Sequence, residues 1–143
     1  MKLINDPFGS IRDNNMYLLL CCGMLLALAI LFLQSGLDKV TDHKGNREWL
    51  TGHFSKSPLR NMVPFMLITL TILEMASGLA CVAGIVLLAG KHDLMFARIG
   101  VILSLFTLIC LFAGQRIAKD YPGAASLIGY MTFTAVAAYV MMS

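Results

Sequence analysis

The sequence predicts an all-α fold: a bundle of four transmembrane helices with a short interfacial helix in the first loop. Composition is the first observation behind this. The 143 residues are 58% hydrophobic and 13% charged, with a mean hydropathy of +0.77, whereas soluble domains carry roughly 25% charge. The second observation is a set of apolar runs at residues 16–37, 62–88, 95–114 and 122–142. Each is near the roughly 20 residues that cross a hydrocarbon core. The third is spacing. Connections are short except for residues 38–61, so successive spans run antiparallel and residues 1–143 are expected to form a single integral membrane domain. With no segment for a soluble catalytic domain, any chemistry must use the bundle or that one loop.

Residues 1–15 are polar, and Pro7 and Gly9 oppose a long helix. A loosely ordered or interfacial tail is expected, not a cleaved signal, because Asp6 and Asp13 precede an apolar run longer than a signal core. Span one opens at Met16-Tyr17, with Tyr17 at headgroup level. It closes on the polar cluster Gln34-Ser35-Gly36-Leu37-Asp38-Lys39. In the long loop, Asn46 to Phe54 is the expected interfacial helix. Trp49, Leu50 and Phe54 would share a face turned to lipid or bundle, leaving the charges wet. His43 and His53 lie in this loop without a ligand pattern and read as solvated, so no metal site is expected.

Pro64 suits the first turn of span two. Within that span, Thr71, Glu74, Ser77, Gly78 and Cys81 recur at three- and four-residue spacing. They form one small, polar stripe suited to close approach of another helix. Gly90-Lys91-His92-Asp93 is a tight turn. Span three carries Gly100, Ser104 and Thr107, and ends at Gly114-Gln115-Arg116. A short charged turn leads to span four, where Ala125 and Gly129 stand at small-xxx-small spacing.

Four spans place both ends of the chain on one face, side A, and the long loop and last turn on side B. Side B holds Lys39, Lys44, Arg47, Lys56, Arg60, Arg116 and Lys119; side A holds Lys2, Arg12, Lys91 and Arg98. This bias nominally makes side B cytoplasmic. Without Lys39, Arg116 and Lys119, which are also site candidates, the two sides balance. Charge therefore leaves the orientation open. The net charge of +3 is small and dispersed and points to a lipid bilayer, not to nucleic acid.

Glu74 is the central candidate. A carboxylate facing lipid at mid-membrane costs roughly 2.5–3.5 kcal/mol, and this one lies about 15 Å from side B at 1.5 Å per residue. Gln34, Asp38 and Lys39 end span one on the same side, and Gln115 and Arg116 end span three there. Lys39 is the preferred counter-ion, because it ends in a compact charge on a flexible stem. These six residues, Glu74, Lys39, Gln34, Asp38, Gln115 and Arg116, would make a polar pocket opening to side B. Such a pocket suits a quinone head, a lipid head or a proton; a register-fixing polar cluster without ligand and a docking surface for a partner protein are the other readings. No CxxC occurs among Cys21, Cys22, Cys81 and Cys110. They read as small packing residues, Cys81 reduced, buried and within reach of span one.

Three stretches carry a family resemblance. Ser35-Gly36-Leu37-Asp38-Lys39 resembles the glycine–lysine signature of the DoxX-like membrane family. Glu74-Met75-Ala76-Ser77-Gly78-Leu79 resembles that family's glutamate followed by small residues. Residues Gly114 to Ala124 are similar to a segment of DoxX-like proteins from Bacteroidetes-type bacteria. The resemblance implies a four-helix protein of the bacterial inner (cytoplasmic) membrane, with Lys39 and Glu74 as motif positions and no catalytic role attached. Small size and the lack of a soluble domain suggest an accessory subunit of a larger membrane complex, and the resemblance adds a redox or quinone link. The alternatives are a quinone- or lipid-binding oxidoreductase component built around Glu74, and a small transporter that oligomerises. Partners would be other membrane subunits or further copies of the chain. Whether it is an enzyme stays open.

Overall fold

The computed structural model describes residues 15–142, and among these there is helix and no strand. The expectation for the N-terminal tail lies, Asn15 apart, outside the described residues. Helix α1 is Asn15–Thr41, α2 His43–His53, α3 Val63–Lys91, α4 Met95–Ile117 and α5 Tyr121–Met142. The four long helices are each apolar enough to cross a membrane, with mean hydropathies from 2.7 in α1 to 1.5 in α5. The chain is thus a multi-pass membrane protein with an all-α, four-helix transmembrane core.

The helices outrun the apolar runs. α1 continues from Leu37 to Thr41 and α4 from Gly114 to Ile117, because residues such as Lys, Gln and Arg propagate a helix as well as Leu does. The extensions place Lys39 and Gln115 on helices with set directions. Side chains also fix where helices begin. Asp42 accepts from the Gly45 N–H at the start of α2. Asp93 accepts from the Met95 N–H (2.9 Å) before α4, and Asp120 from the Gly123 N–H (3.0 Å) at the start of α5. α3 ends on His92, which turns left-handed at φ 53° while its N–H and that of Asp93 close onto Leu88 and Leu87 carbonyls.

α3 is central, packing along α1 on one side and α4 on the other, while α5 leans mainly on α4. Small residues set the two main seams. A methyl group on Gly84 would come within 2.8 Å of the Ala97 Cα, and one on Gly100 within 3.0 Å of the Cys81 N. Backbone therefore touches backbone between α3 and α4. Gly36 and Gly78 meet Met75 and Leu33 between α1 and α3. In lipid this close packing, not transfer from water, drives helix association. At side A, α5 is tied in by Tyr17 Oη donating to the Val140 carbonyl (3.3 Å) and Arg98 Nε to that of Met141 (2.8 Å).

Candidate functional site

Two polar groupings occupy the side-B half. The first is the pair expected from the sequence. Lys39 Nζ lies 3.0 Å from Glu74 Oε2, donates to Oε1 at 3.3 Å and donates to Ser35 Oγ at 3.0 Å. Helix geometry explains why they meet. Cα–Cβ bonds tilt toward a helix's own N-terminus. At the side-B end of α1, Lys39 therefore points back into the membrane. α3 runs the other way, so Glu74 points up toward side B. Each long side chain covers half the gap, and Ser35, one turn before Lys39, takes a further ammonium proton.

The pair is closed. Glu74's side chain is 2% exposed and that of Lys39 15%. Oε2 is buried and makes no hydrogen bond to the described residues, with the Lys39 ammonium 3.0 Å away as its counter-charge. Below Glu74 the stripe turns to α4 and spends its polarity there. Ser77 and Thr107 hydroxyls lie 3.0 Å apart, and Cys81 Sγ 3.7 Å from Ser104 Oγ. Cys81 is buried and unbridged; its sulfur lies against Ser104 of α4, and it shares one buried core cluster with Cys21, Leu25 and Leu28 of α1.

The rest of the expected six-residue pocket does not assemble at Glu74. Gln34 and Asp38 are exposed, since positions one or five residues from Lys39 fall on other faces of α1. Arg116 is exposed and sits over the Tyr121 ring, 4.5 Å from its centroid. Gln115 belongs to the second grouping.

That second grouping is built on α2. The helix has two i, i+4 pairs on adjacent faces. Leu50 and Phe54 turn inward and are buried with Val63 and Leu67 of α3. Trp49 and His53 stack, centroids 4.6 Å apart and planes at 14°. The expected shared face for Trp49, Leu50 and Phe54 is therefore split: Trp49 stays 60% exposed at the outer rim while the other two fasten the helix. His53 is not the solvated loop residue anticipated. Its Nε2 lies 2.8 Å from Gln115 Oε1 and 3.6 Å from Asp120 Oδ2. Asp120 has its other oxygen on the Gly123 N–H, so capping α5 also aims a carboxylate at His53.

Beside this cluster lies a groove of about 340 Å³, bounded by α2, α3 and α4. Its walls are apolar, among them Leu59, Met66, Leu70, Leu73 and Leu111, with Cys110 also on the lining. Its outer edge is made by Trp49, Met62, Phe65 and Ile117, all exposed. In a bilayer that edge opens to the lipid. The polar groups on its lining include His53, Gln115 and Thr69; Glu74 and Lys39 are not on it. Of the expected site residues, Gln115 alone lines the groove. His53 and Asp120 were missed because their meeting spans more than sixty residues and depends on where α2 folds back.

Comparison of the chain with protein-family models, curated proteins and solved structures finds no match.

Proposed function

We propose that the protein is a small membrane-embedded binding subunit that holds an amphipathic, lipid-soluble molecule, of the lipid or quinone class, in the side-B groove beneath α2. The observation that carries this is the groove itself: an apolar slot at the lipid edge with a His–Gln pair on its wall. Ligand sites combine apolar walls with a few placed polar groups in this way. The Lys39–Glu74 pair supports the reading indirectly. It is closed on itself and welds α1 to α3, giving the groove a rigid wall. The resemblance of three of its stretches to DoxX-like proteins is what supports the further proposal of a bacterial inner membrane and an accessory role in a redox-linked complex.

Cys110 on the lining provides the test. The protein is purified in nanodiscs, its co-purifying lipids and quinones are identified by native mass spectrometry, and maleimide labelling is mapped peptide by peptide. A bound amphipath should be found, and its addition should slow labelling of Cys110 without changing Cys22. Gly114→Leu, which puts bulk into the groove, should abolish both effects. An empty protein whose Cys110 labels at the same rate with and without added quinone or lipid would defeat the proposal.

A further inference from the structure

Resting on the groove reading above, we infer that the ligand's polar end is a hydroxyl that donates to His53 Nδ1, and that within the quinone class the ligand is a lipid-soluble phenol, the reduced hydroxyl-bearing form and not the oxidised one. The argument starts with the tautomer. Both groups facing Nε2, the Gln115 amide oxygen at 2.8 Å and the Asp120 carboxylate at 3.6 Å, are acceptors. Nε2 therefore carries the proton. In a neutral imidazole the other nitrogen is then the acceptor. Nδ1 has no hydrogen-bond partner among the described residues, although the His53 side chain is only 16% exposed. Nδ1 is accessible, not sealed in the core, and belongs to a residue on the groove lining; an acceptor there suits a ligand that brings a donor. A ketone or ester carbonyl brings none.

Charge narrows the class further. No lysine or arginine lines the groove, and the Asp120 carboxylate stands behind the imidazole, so a phosphate head would meet a negative charge and no cation. A neutral donor fits. The stacked Trp49 and His53 rings, with Phe54 set edge-on to His53 at 5.1 Å, present flat aromatic surface at the same end. Aromatic rings pack on such surfaces in offset or edge geometry. A ring hydroxyl joins both features in one group, and an alkyl tail would run along Leu70, Leu73 and Leu111. The binding is non-covalent and moves no electrons.

Trp49, the single tryptophan of the chain, lies on the groove and reports occupancy by its emission. The full protein in nanodiscs is titrated with para-octylphenol and with its methyl ether, para-octylanisole, at one fixed pH. The two probes share shape and tail and differ in the donor. The phenol should bind roughly tenfold more tightly, the size of one net hydrogen bond. In His53→Phe, which keeps a ring against Trp49 and loses the acceptor, the two should bind alike. Equal binding of both probes to the unaltered protein would overturn the phenol inference and leave the groove reading intact. No response of Trp49 to either probe would overturn the groove reading as well. Para-octylcyclohexanol binding as tightly as the phenol would overturn the aromatic assignment. These comparisons use the unaltered protein and do not depend on the variant folding.

Discussion

The two polar groupings of the side-B half are a few turns apart and behave oppositely. Lys39 and Glu74 satisfy each other between α1 and α3 and are shut off from their surroundings. Gln115 and Asp120 meet His53 at one nitrogen of its imidazole, and His53 and Gln115 also line a groove. A buried charge in a membrane draws attention because it is expensive. Here the expense is met by a single well-aimed counter-ion, and what remains is a clasp. The less costly, half-buried histidine at the membrane edge borders open space. In this protein the conspicuous residue holds the frame and the inconspicuous one faces the ligand-sized volume.

The comparison can be broken most sharply at the clasp. Glu74→Gln or Lys39→Met alone should each destabilise the protein in mild detergent by about 3–5 kcal/mol, because each leaves one buried group without its partner. The double variant should lose less than the sum, since no lone charge remains. Trp49 emission in the folded state should be unchanged in all three. Additive losses would show that the pair is uncoupled, and a shifted emission would mean that clasp and groove are one site.

Next in size come the helix seams. Gly84→Ala drives a methyl group into the Ala97 backbone and should cost about 1–3 kcal/mol, the range for overpacking. Gly36→Ala meets first the end of the Met75 side chain, which can swing away, so its thermal midpoint should fall less. Equal losses would mean that the α1–α3 seam is as rigid as the α3–α4 seam.

A smaller effect is expected at the cap that aims Asp120. A methyl group on Gly123 would collide with both carboxylate oxygens of Asp120. Gly123→Ala should cost about 1 kcal/mol, the size of a lost N-cap, and should alter Trp49 emission through the displaced His53 ring. Loss of stability with unchanged emission would separate the cap from the histidine. The smallest effect belongs to Gly114→Ala, whose added methyl group would stand 3.8 Å from the Phe54 ring in ordinary contact. Stability should stay within about 0.5 kcal/mol of the unaltered protein. A larger loss would show that the groove wall has no slack.

Much of this architecture was legible in the residues. Four apolar runs, the Pro64 start of α3 and the polar stripe from Thr71 to Cys81 are local patterns, and lipid leaves the backbone of a spanning segment little choice but helix. The Lys39–Glu74 pair was legible too, because a carboxylate at that depth needs a partner and few cations could reach it. Gln34 and Asp38 were misplaced for a simple reason. Sequence adjacency put them at the right depth, but a helix spreads neighbours by about 100° per residue, and of the polar residues ending α1 it is Ser35 and Lys39 that join the pair with Glu74.

The sequence by itself determined which segments are helical, that they span a membrane, and that Glu74 must be neutralised inside it. These follow from solvent and hydrogen-bonding constraints acting within one segment. Only the tertiary structure decided that α2 folds back with Leu50 and Phe54 down and His53 sideways. It alone decided that the α5 cap supplies a carboxylate to that histidine, and that a groove stays open between α2, α3 and α4. Those outcomes depend on how separate helices pack across one another, and no periodicity along a single segment encodes the space left between them.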